Sequence, residues 1–469
     1  MNVSRRTALK LIGAGAGAAA LSGTGAAAAA AAADRDDGVL SCDVAILGGG
    51  ATGTYAAVRL RDLGRSSVVI EAGDRLGGHT QTWTDPVTGG PVDIGVIVFH
   101  DLPVVRSFFG RFAIPLTTAD FAVPGGVTKY VDFGTGAEVA GFVPPDPSAA
   151  LGAYAAQIAR YPYLGTGYDL PDPVPADLLL PFGDFVRRYG LGDAVRTIAA
   201  FGQGLGDILR QPTLYVAKNF GLDVLTSLQT GFLTTARHRN GELYDRALAE
   251  LGDAVLLRSR VTAADRTAPG RARLTVRTPS GTSIVVARKV LVTAPPTIGN
   301  LGVLGLDATE AGLFRQFGNS AYYTGVLRGT GIPGTWTLDN VGRDTTYGLP
   351  ELPGIYSVYP TGLPGLHNVK YGSKRALSTS EVRSDILAAI ERLSVPGVDP
   401  AAAPKLAVFA SHTPFELTVP ADAIQAGFYR RLSSLQGRNR TFYTGAAFHT
   451  HDSSLLWRFT ETLLPRLAG

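Results

Sequence analysis

The first part of this chain is expected to adopt an α/β fold on a parallel sheet, and two observations carry that expectation. A short apolar run, Cys42-Asp43-Val44-Ala45-Ile46-Leu47, reads as a buried strand and leads straight into Gly48-Gly49-Gly50-Ala51-Thr52-Gly53. Beyond this turn, Ala56, Ala57, Leu60 and Leu63 share one helical face with Gly64 as the stop, and Val68-Val69-Ile70 reads as a second strand. Strand, glycine turn, helix and strand in that order form a βαβ unit, whose two strands run parallel.

The turn fits G-x-G-x-x-G, and its glycines have separate tasks. Gly48 permits the tight turn, Gly50 removes the side chain that would block a pyrophosphate, and Gly53 lets the helix approach the strand. The helix then begins at Ala51 and Thr52, where N–H groups and the helix dipole favour phosphate. Glu71 follows Gly53 by 18 positions and suits the ribose hydroxyls, while its charge disfavours a 2′-phosphate. A near match at Gly13–Ala18 has no strand before it and carries no such meaning. A Rossmann-type dinucleotide-binding domain is therefore expected.

Directly after Glu71 comes Asp74-Arg75-Leu76-Gly77-Gly78-His79. Adjacent glycines permit close backbone approach to a large planar or phosphorylated ligand, and Arg75 has the reach to a phosphate. Through these residues the chain resembles the flavin amine oxidoreductase superfamily, whose members carry R-x-G-G-R after the ribose-binding glutamate. His79 stands where the second arginine is usual. Within the superfamily the sequence is similar to fungal β-cyclopiazonate dehydrogenase-like flavoproteins. That similarity runs through Cys42–Ile46, Thr54-Tyr55-Ala56-Ala57, Arg75–Thr80 and Asp93-Ile94-Gly95-Val96 with Phe99-His100.

The resemblance implies non-covalent FAD in an amine-oxidase-like two-domain architecture, with an α+β substrate domain inserted into a Rossmann-type FAD domain. It implies cofactor contacts from Gly48, Gly50, Thr52, Gly53, Glu71, Arg75, Gly77, Gly78 and His79. Asn240-Gly241-Glu242 opens an amphipathic helix through Leu248 and Leu251, and a strand over Val255–Val261 follows. By resemblance, the backbone of Val261 contacts the adenine. Lys289–Pro296 resembles the family strand that ends in a cis-prone proline pair near the FAD. Phe442–Ala447 reads as a strand ending on a small-residue turn before a helix from about Ser453 to Leu464. Gly445 and Ala446 are then expected to bring backbone N–H groups and a helix N-terminus to the flavin pyrimidine.

Motifs at both ends and in the middle make the FAD domain discontinuous, over 40–105, 237–298 and 405–469. The substrate domain is expected over 106–236 and 299–404, which are richer in Pro, Tyr and Phe. Tyr161, Tyr163, Tyr168, Phe182, Tyr322, Tyr323, Tyr347, Tyr356 and Tyr359 suggest an aromatic-lined cavity, although each one alone suits ordinary core packing.

Among the seven histidines, His100 ends a strand that runs towards the flavin in the superfamily, while His449 and His451 follow the Gly445 turn. His100 and His449 are the histidines expected to act in catalysis, the alternative being buried, satisfied rings. Some amine oxidases hold a water against the flavin with a lysine, and Lys370 is the candidate for that role. His449-Thr450-His451 lacks further clustered ligands, so no metal is expected. Cys42 is the single cysteine and sits in the first strand, which excludes an intramolecular disulfide and a C-terminal cysteinyl flavin.

The N-terminus reads as a targeting segment. Ser4-Arg5-Arg6-Thr7-Ala8-Leu9-Lys10 is a twin-arginine pattern, followed by an Ala/Gly run to Ala33 that suits cleavage before Asp34. A retained membrane anchor is the alternative, and no later segment is long and apolar enough to span. Export through the twin-arginine machinery, to a periplasmic or extracellular location, is the expectation. Without 1–33 the formal charge falls from +4 by the loss of Arg5, Arg6 and Lys10, and no basic stripe remains for nucleic acid. The leading expectation for function is FAD-dependent oxidation of a C–H bond in a small organic molecule, with dioxygen or another acceptor taking the electrons. A redox-neutral double-bond isomerase of polyenoic substrates and a non-catalytic flavin-binding protein are the alternatives.

Overall fold

The structure, a computed structural model, describes residues 34–36, 38–400 and 402–469. The twin-arginine segment 1–33 lies outside the described residues. Among them, no helix is long and apolar enough to cross a membrane.

The first sheet grows from the βαβ start. Its strands run in the order Val255–Leu256, Ser67–Ile70, Val39–Leu47, Gly281–Val292, Ala272–Thr278 and Arg260–Asp265, with Thr441–Tyr443 also paired to Gly281–Val292. The strands meeting at Val39–Leu47 are parallel, with Val44 opposite Ser67 and Lys289 opposite Val44. Val44, Ala45 and Ile46 are fully buried, as a parallel strand covered on both faces requires. The helix Ala51–Asp62 covers this strand and is itself held by the C-terminal helix Ser453–Ala468. There the Trp457 indole stacks on Tyr55 at 5.9 Å and donates to the Ala51 carbonyl at 3.1 Å. The last helix thus fixes the first turn of the dinucleotide helix.

The second sheet runs in the order Lys405–Ser411, Ala321–Arg328, Leu366–Ser373, Gly354–Pro360, Trp336–Asn340, Val127–Asp132 and Ala137–Glu138. Helix Thr379–Glu391 seals one face, packing Val382, Ile386 and Ile390 against Tyr323, Val369 and Tyr371. On the opposite face the Thr324 hydroxyl donates to the Ile94 carbonyl, which ties this sheet to the segment that follows the dinucleotide unit. Helices Ser148–Ile158, Phe182–Tyr189, Val195–Phe201, Thr213–Asn219 and Leu222–Thr230 complete this half.

Three local expectations need correction. Residues 405–411, placed by sequence with the FAD segments, pair antiparallel with Ala321–Arg328 in the second sheet. Their alternating, half-buried pattern suits an antiparallel edge and not a strand buried on both faces. The strand expected over Val255–Val261 breaks after Leu256. Arg258 takes φ +51° there, and the N–H groups of Arg258 and Ser259 donate to the carbonyls of Gly73 and Glu71 at 2.7 and 2.8 Å. Finally, Pro295 and Pro296 follow trans bonds, the cis X-Pro bonds among the described residues being at Pro173, Pro353 and Pro414. The chain leaves its strand at Val292, where Thr293 Oγ1 donates to the carbonyls of Leu47 and Gly48, and turns into Ile298–Leu301.

Candidate cofactor and substrate site

The glycine turn is a matter of space. A Cβ on Gly53 would fall on the Gly48 carbonyl oxygen, so only glycine lets the helix start this close to the strand. Gly48 has φ +105°, and a Cβ there would lie 2.6 Å from Thr293 Oγ1. Gly50 is the N-cap residue, and Thr52 is buried in the first helical turn. Glu71 stands at the end of the second strand, where its two oxygens accept from Gly49 N and Gly73 N at 2.6 Å each. Val261 is the second residue of the strand Arg260–Asp265, just beyond the Arg258–Ser259 clasp on Glu71 and Gly73.

Gly78 completes a cradle opposite the turn. A Cβ on it would come within 3.1 Å of the Gly50 Cα, and Gly77 takes φ +103° with no room towards the Tyr244 ring. Arg75 shapes this loop from within. Its guanidinium donates to the carbonyls of Leu76, Thr80 and Gly78 at 3.0, 2.8 and 2.7 Å, so the loop's own backbone takes the contacts expected to go to a phosphate. Gly95 then brings the next segment against the loop, because a Cβ there would strike the His79 carbonyl.

His79 is exposed, between exposed Gly78 and buried Thr80. Its ring lies 4.5 Å from that of His412 and, nearly coplanar in tilt, 6.1 Å from that of His451, which stacks on Phe415 at 4.0 Å. The groups crowding its ring, helped by the Arg75 charge, lower the His79 pKa, and desolvation with His79 beside it pushes His451 down to about 3. His451 Nε2 faces the Phe415 carbonyl at 2.8 Å and therefore carries the ring hydrogen. Glu416 Oε2 lies 3.5 Å from that nitrogen, yet burial pushes the Glu416 carboxyl up to about 8. Burial thus disfavours charge on both partners of this contact.

The Gly445 turn has φ +103° and leads through Ala446–Phe448 into His449. His449 is 1% exposed with both nitrogens engaged. Nε2 faces the Gly165 carbonyl at 3.2 Å, which leaves Nδ1 to accept from Lys218 Nζ at 3.0 Å. Lys218 also donates to the carbonyls of Leu164 and Gly167 at 2.5 and 3.1 Å. Burial pulls its pKa well down, but three acceptors match the three hydrogens of an ammonium. His449 is therefore a clamp between the 164–167 segment and the C-terminal turn. His100 Nδ1 lies 2.7 Å from Ser227 Oγ, while Nε2 lies 3.3 Å from Asp452 Oδ2 without forming a hydrogen bond. Burial lowers the His100 pKa, but the Asp452 charge outweighs it and the net shift is upward. Asp452 in turn caps the C-terminal helix by accepting from Leu455 N at 2.9 Å.

Lys370 lies on the other half. With Tyr359, Thr324 and Asn368 it lines a small cavity whose opposite wall is Asp93, Ile94, Gly95 and Ile97. Sequence reasoning missed Lys218, Asn219, His412, Phe415 and Glu416 as site-forming residues. The available signal for Lys218 was a lysine four residues after Leu214 in an otherwise apolar helix.

An FAD-sized dinucleotide fits these residues. The hydroxyls of Thr80 and Tyr244 are buried beside Gly77 without a hydrogen-bond partner, and the Gly50–Gly78 gap admits no side chain. Gly48, Gly50, Gly53, Glu71, Gly77, Gly78 and the Gly445 turn would hold it. Fold and site together define a two-domain FAD-dependent oxidoreductase.

The chain belongs to the flavin containing amine oxidoreductase family, whose model matches residues 51–450. It is 40% identical over 436 residues to FAD-dependent oxidoreductase pigF of Monascus ruber, covering 91% of this chain and 92% of that protein. It is 35% identical over 435 residues to beta-cyclopiazonate dehydrogenase of Aspergillus oryzae, covering 92% and 94%. Among solved structures, a CLA-producing fatty acid isomerase from P. acnes aligns with TM-score 0.72 at 18% identity, over 91% of this chain and 98% of that one. Putrescine oxidase bound to putrescine aligns with TM-score 0.63 at 18% identity, over 92% and 99%. At such identities these structures carry the fold alone.

Proposed function

We propose that this protein oxidises a C–H bond of a small organic substrate, with dioxygen or another acceptor restoring the cofactor after export of the folded protein by the twin-arginine route. Bound FAD supplies the two-electron acceptor that no side chain provides. The observation that carries the reading is the dinucleotide turn from Gly48 to Glu71, set near the Asp93–Ile97 segment and the Thr324–Lys370 face, which meet around a water-sized gap. Beyond it, Tyr322 packs against Tyr356 and Phe415, and the ring of His79 packs against those of His412 and His451. His449 and Lys218 hold the C-terminal turn in place, and Asp452 caps the helix that follows it.

The test is an anaerobic screen of the yellow holoprotein against amine, indole and polyene panels, watching the flavin absorbance. Bleaching by one class, reversed by an added acceptor, is the expected result. Conversion of a polyene with no bleaching and no acceptor consumed would replace this reading by the isomerase. Failure of any compound to bleach the flavin or to be converted would leave a non-catalytic flavin-binding protein.

A further inference from the structure

The face of the second sheet opposite helix Thr379–Glu391 carries a lysine that meets tyrosine hydroxyls but has no carboxylate ion pair among the described residues. Lys370 lies on Leu366–Ser373, a strand paired on both sides, with Thr324 and Ser357 as its cross-strand neighbours. Its stem must therefore cross the sheet face and cannot swing out around an edge. Nζ sits 5.4 Å from the centre of the Tyr359 ring, and among the described residues it has no ion-pair partner. A tyrosine face returns only part of the hydration an enclosed ammonium gives up.

We propose that this face binds the acidic oxygen of a planar conjugated substrate, an enolate, phenolate or carboxylate, with Lys370 as its counter-charge and Tyr356 as a hydrogen-bond donor. The proposal rests on the flavin-dependent oxidation reading and names its substrate class.

The remaining groups around the cavity agree in sign. Tyr356 accepts from Gly204 N at 3.3 Å, which leaves its own hydrogen to be donated. Its ring lies over Gly372, where a Cβ would collide with it, so the hydroxyl is held in place by close packing. Tyr322 donates to Gln203 at 3.2 Å, and its ring lies 6.3 Å from that of Tyr356 and 5.0 Å from that of Phe415, which forms flat walls. Burial works against the charge on Lys370, but the hydroxyls of Tyr322 and Tyr359 outweigh it and raise its pKa. The histidines on this side have lowered pKa values.

The carboxyl that shares the cavity is already committed. Asp93 accepts from Thr82 Oγ1 at 2.5 Å and from Asn240 N at 3.1 Å, and burial pushes it up to about 7. A substrate ammonium would meet Lys370 with no anion set aside for it. An acidic oxygen would meet two donors.

The experiment titrates the yellow holoprotein near pH 6, below the raised Asp93 value, with sodium benzoate and, separately, with benzylamine, reading the flavin absorbance and the heat of binding. Benzoate should bind at least about tenfold more tightly than benzylamine. Lys370→Met should weaken benzoate by about tenfold or more, whereas Lys370→Arg, which keeps the charge, should cost much less. Benzylamine binding as tightly as benzoate, benzoate giving no signal, or an unchanged benzoate affinity in Lys370→Met would each overturn the proposal. Benzoate is not turned over, so this outcome is separate from the oxidation reading. Protein that binds benzoate yet is bleached by nothing keeps the anion site and loses the oxidoreductase, while bleaching by amines with no benzoate binding does the reverse.

Discussion

Within residues 47–80 the cofactor half makes its site from backbone and from missing side chains. Gly48, Gly53, Gly77 and Gly78 each occupy a position where a Cβ would meet another atom at 3.1 Å or closer. The face we propose for substrate, on the other half, is made of side chains drawn from distant stretches: Gln203, Tyr322, Tyr356, Lys370 and Phe415. The first site stores its information as space and the second as chemistry. A change in the first should act through geometry regardless of charge, and a change in the second through lost partners or altered protonation.

The largest effect belongs to Gly53→Ala. Its methyl would fall on the Gly48 carbonyl, so the helix must move away from the strand, at a cost of about 1–3 kcal/mol for overpacking. That displacement also spoils the phosphate site at the helix start. The variant is expected to purify with little FAD, seen in the ratio of flavin to protein absorbance, and to unfold at lower temperature. Retention of FAD at the wild-type ratio would show that close packing is not what this glycine provides. Next comes Lys218→Met, which leaves Leu164 O, Gly167 O and His449 Nδ1 without their donor. Stranding such buried groups costs on the order of 1–3 kcal/mol. A urea midpoint indistinguishable from wild type would mean that the clamp between the 164–167 segment and the C-terminal turn carries no stability.

This contrast also explains what the sequence could disclose. Gly48 to Glu71 is one short stretch in which every constraint is local, so spacing alone places the turn, the helix and the acidic residue in register. His79 was legible as a departure from a motif, but its neighbours were not, because His412, Phe415 and His451 reach it from remote stretches. His449 sat in the right turn and was expected to face the flavin or substrate. Nothing local shows that a lysine 231 residues away occupies its Nδ1. Arg75 was read as a phosphate ligand because arginines often are. The three loop carbonyls that accept from it are visible only once the Gly77–Gly78 turn is folded. The 405–411 strand was misplaced because an apolar stretch does not say which sheet it joins until its partner Ala321–Arg328 is known.

The smallest change near pH 4, and the one that grows most as pH rises, is expected for Glu416→Gln, which sharpens the contrast through pH. Glutamine keeps the volume and can still accept the Asn219 amide hydrogen bond, which lies at 3.3 Å in the native protein. In the unfolded chain Glu416 ionises near an ordinary glutamate value of about 4.3, while burial in the native fold raises it to about 8. The native state thus binds more protons than the unfolded one across that window. The stability linked to Glu416 is full below the unfolded value and is lost as pH rises towards 8. Near pH 4 the carboxyl is largely protonated in both states, so the variant should differ least from wild type there. Its melting temperature should then exceed that of wild type by a margin that widens up to pH 8. Asp93, also raised by burial, to about 7, keeps part of the slope in both proteins. The deficit of Gly53→Ala is steric and should hardly change over the same range. Parallel pH profiles for wild type and Glu416→Gln would mean that this carboxyl is ionised in the fold, and His451 would then face a true counter-ion at 3.5 Å.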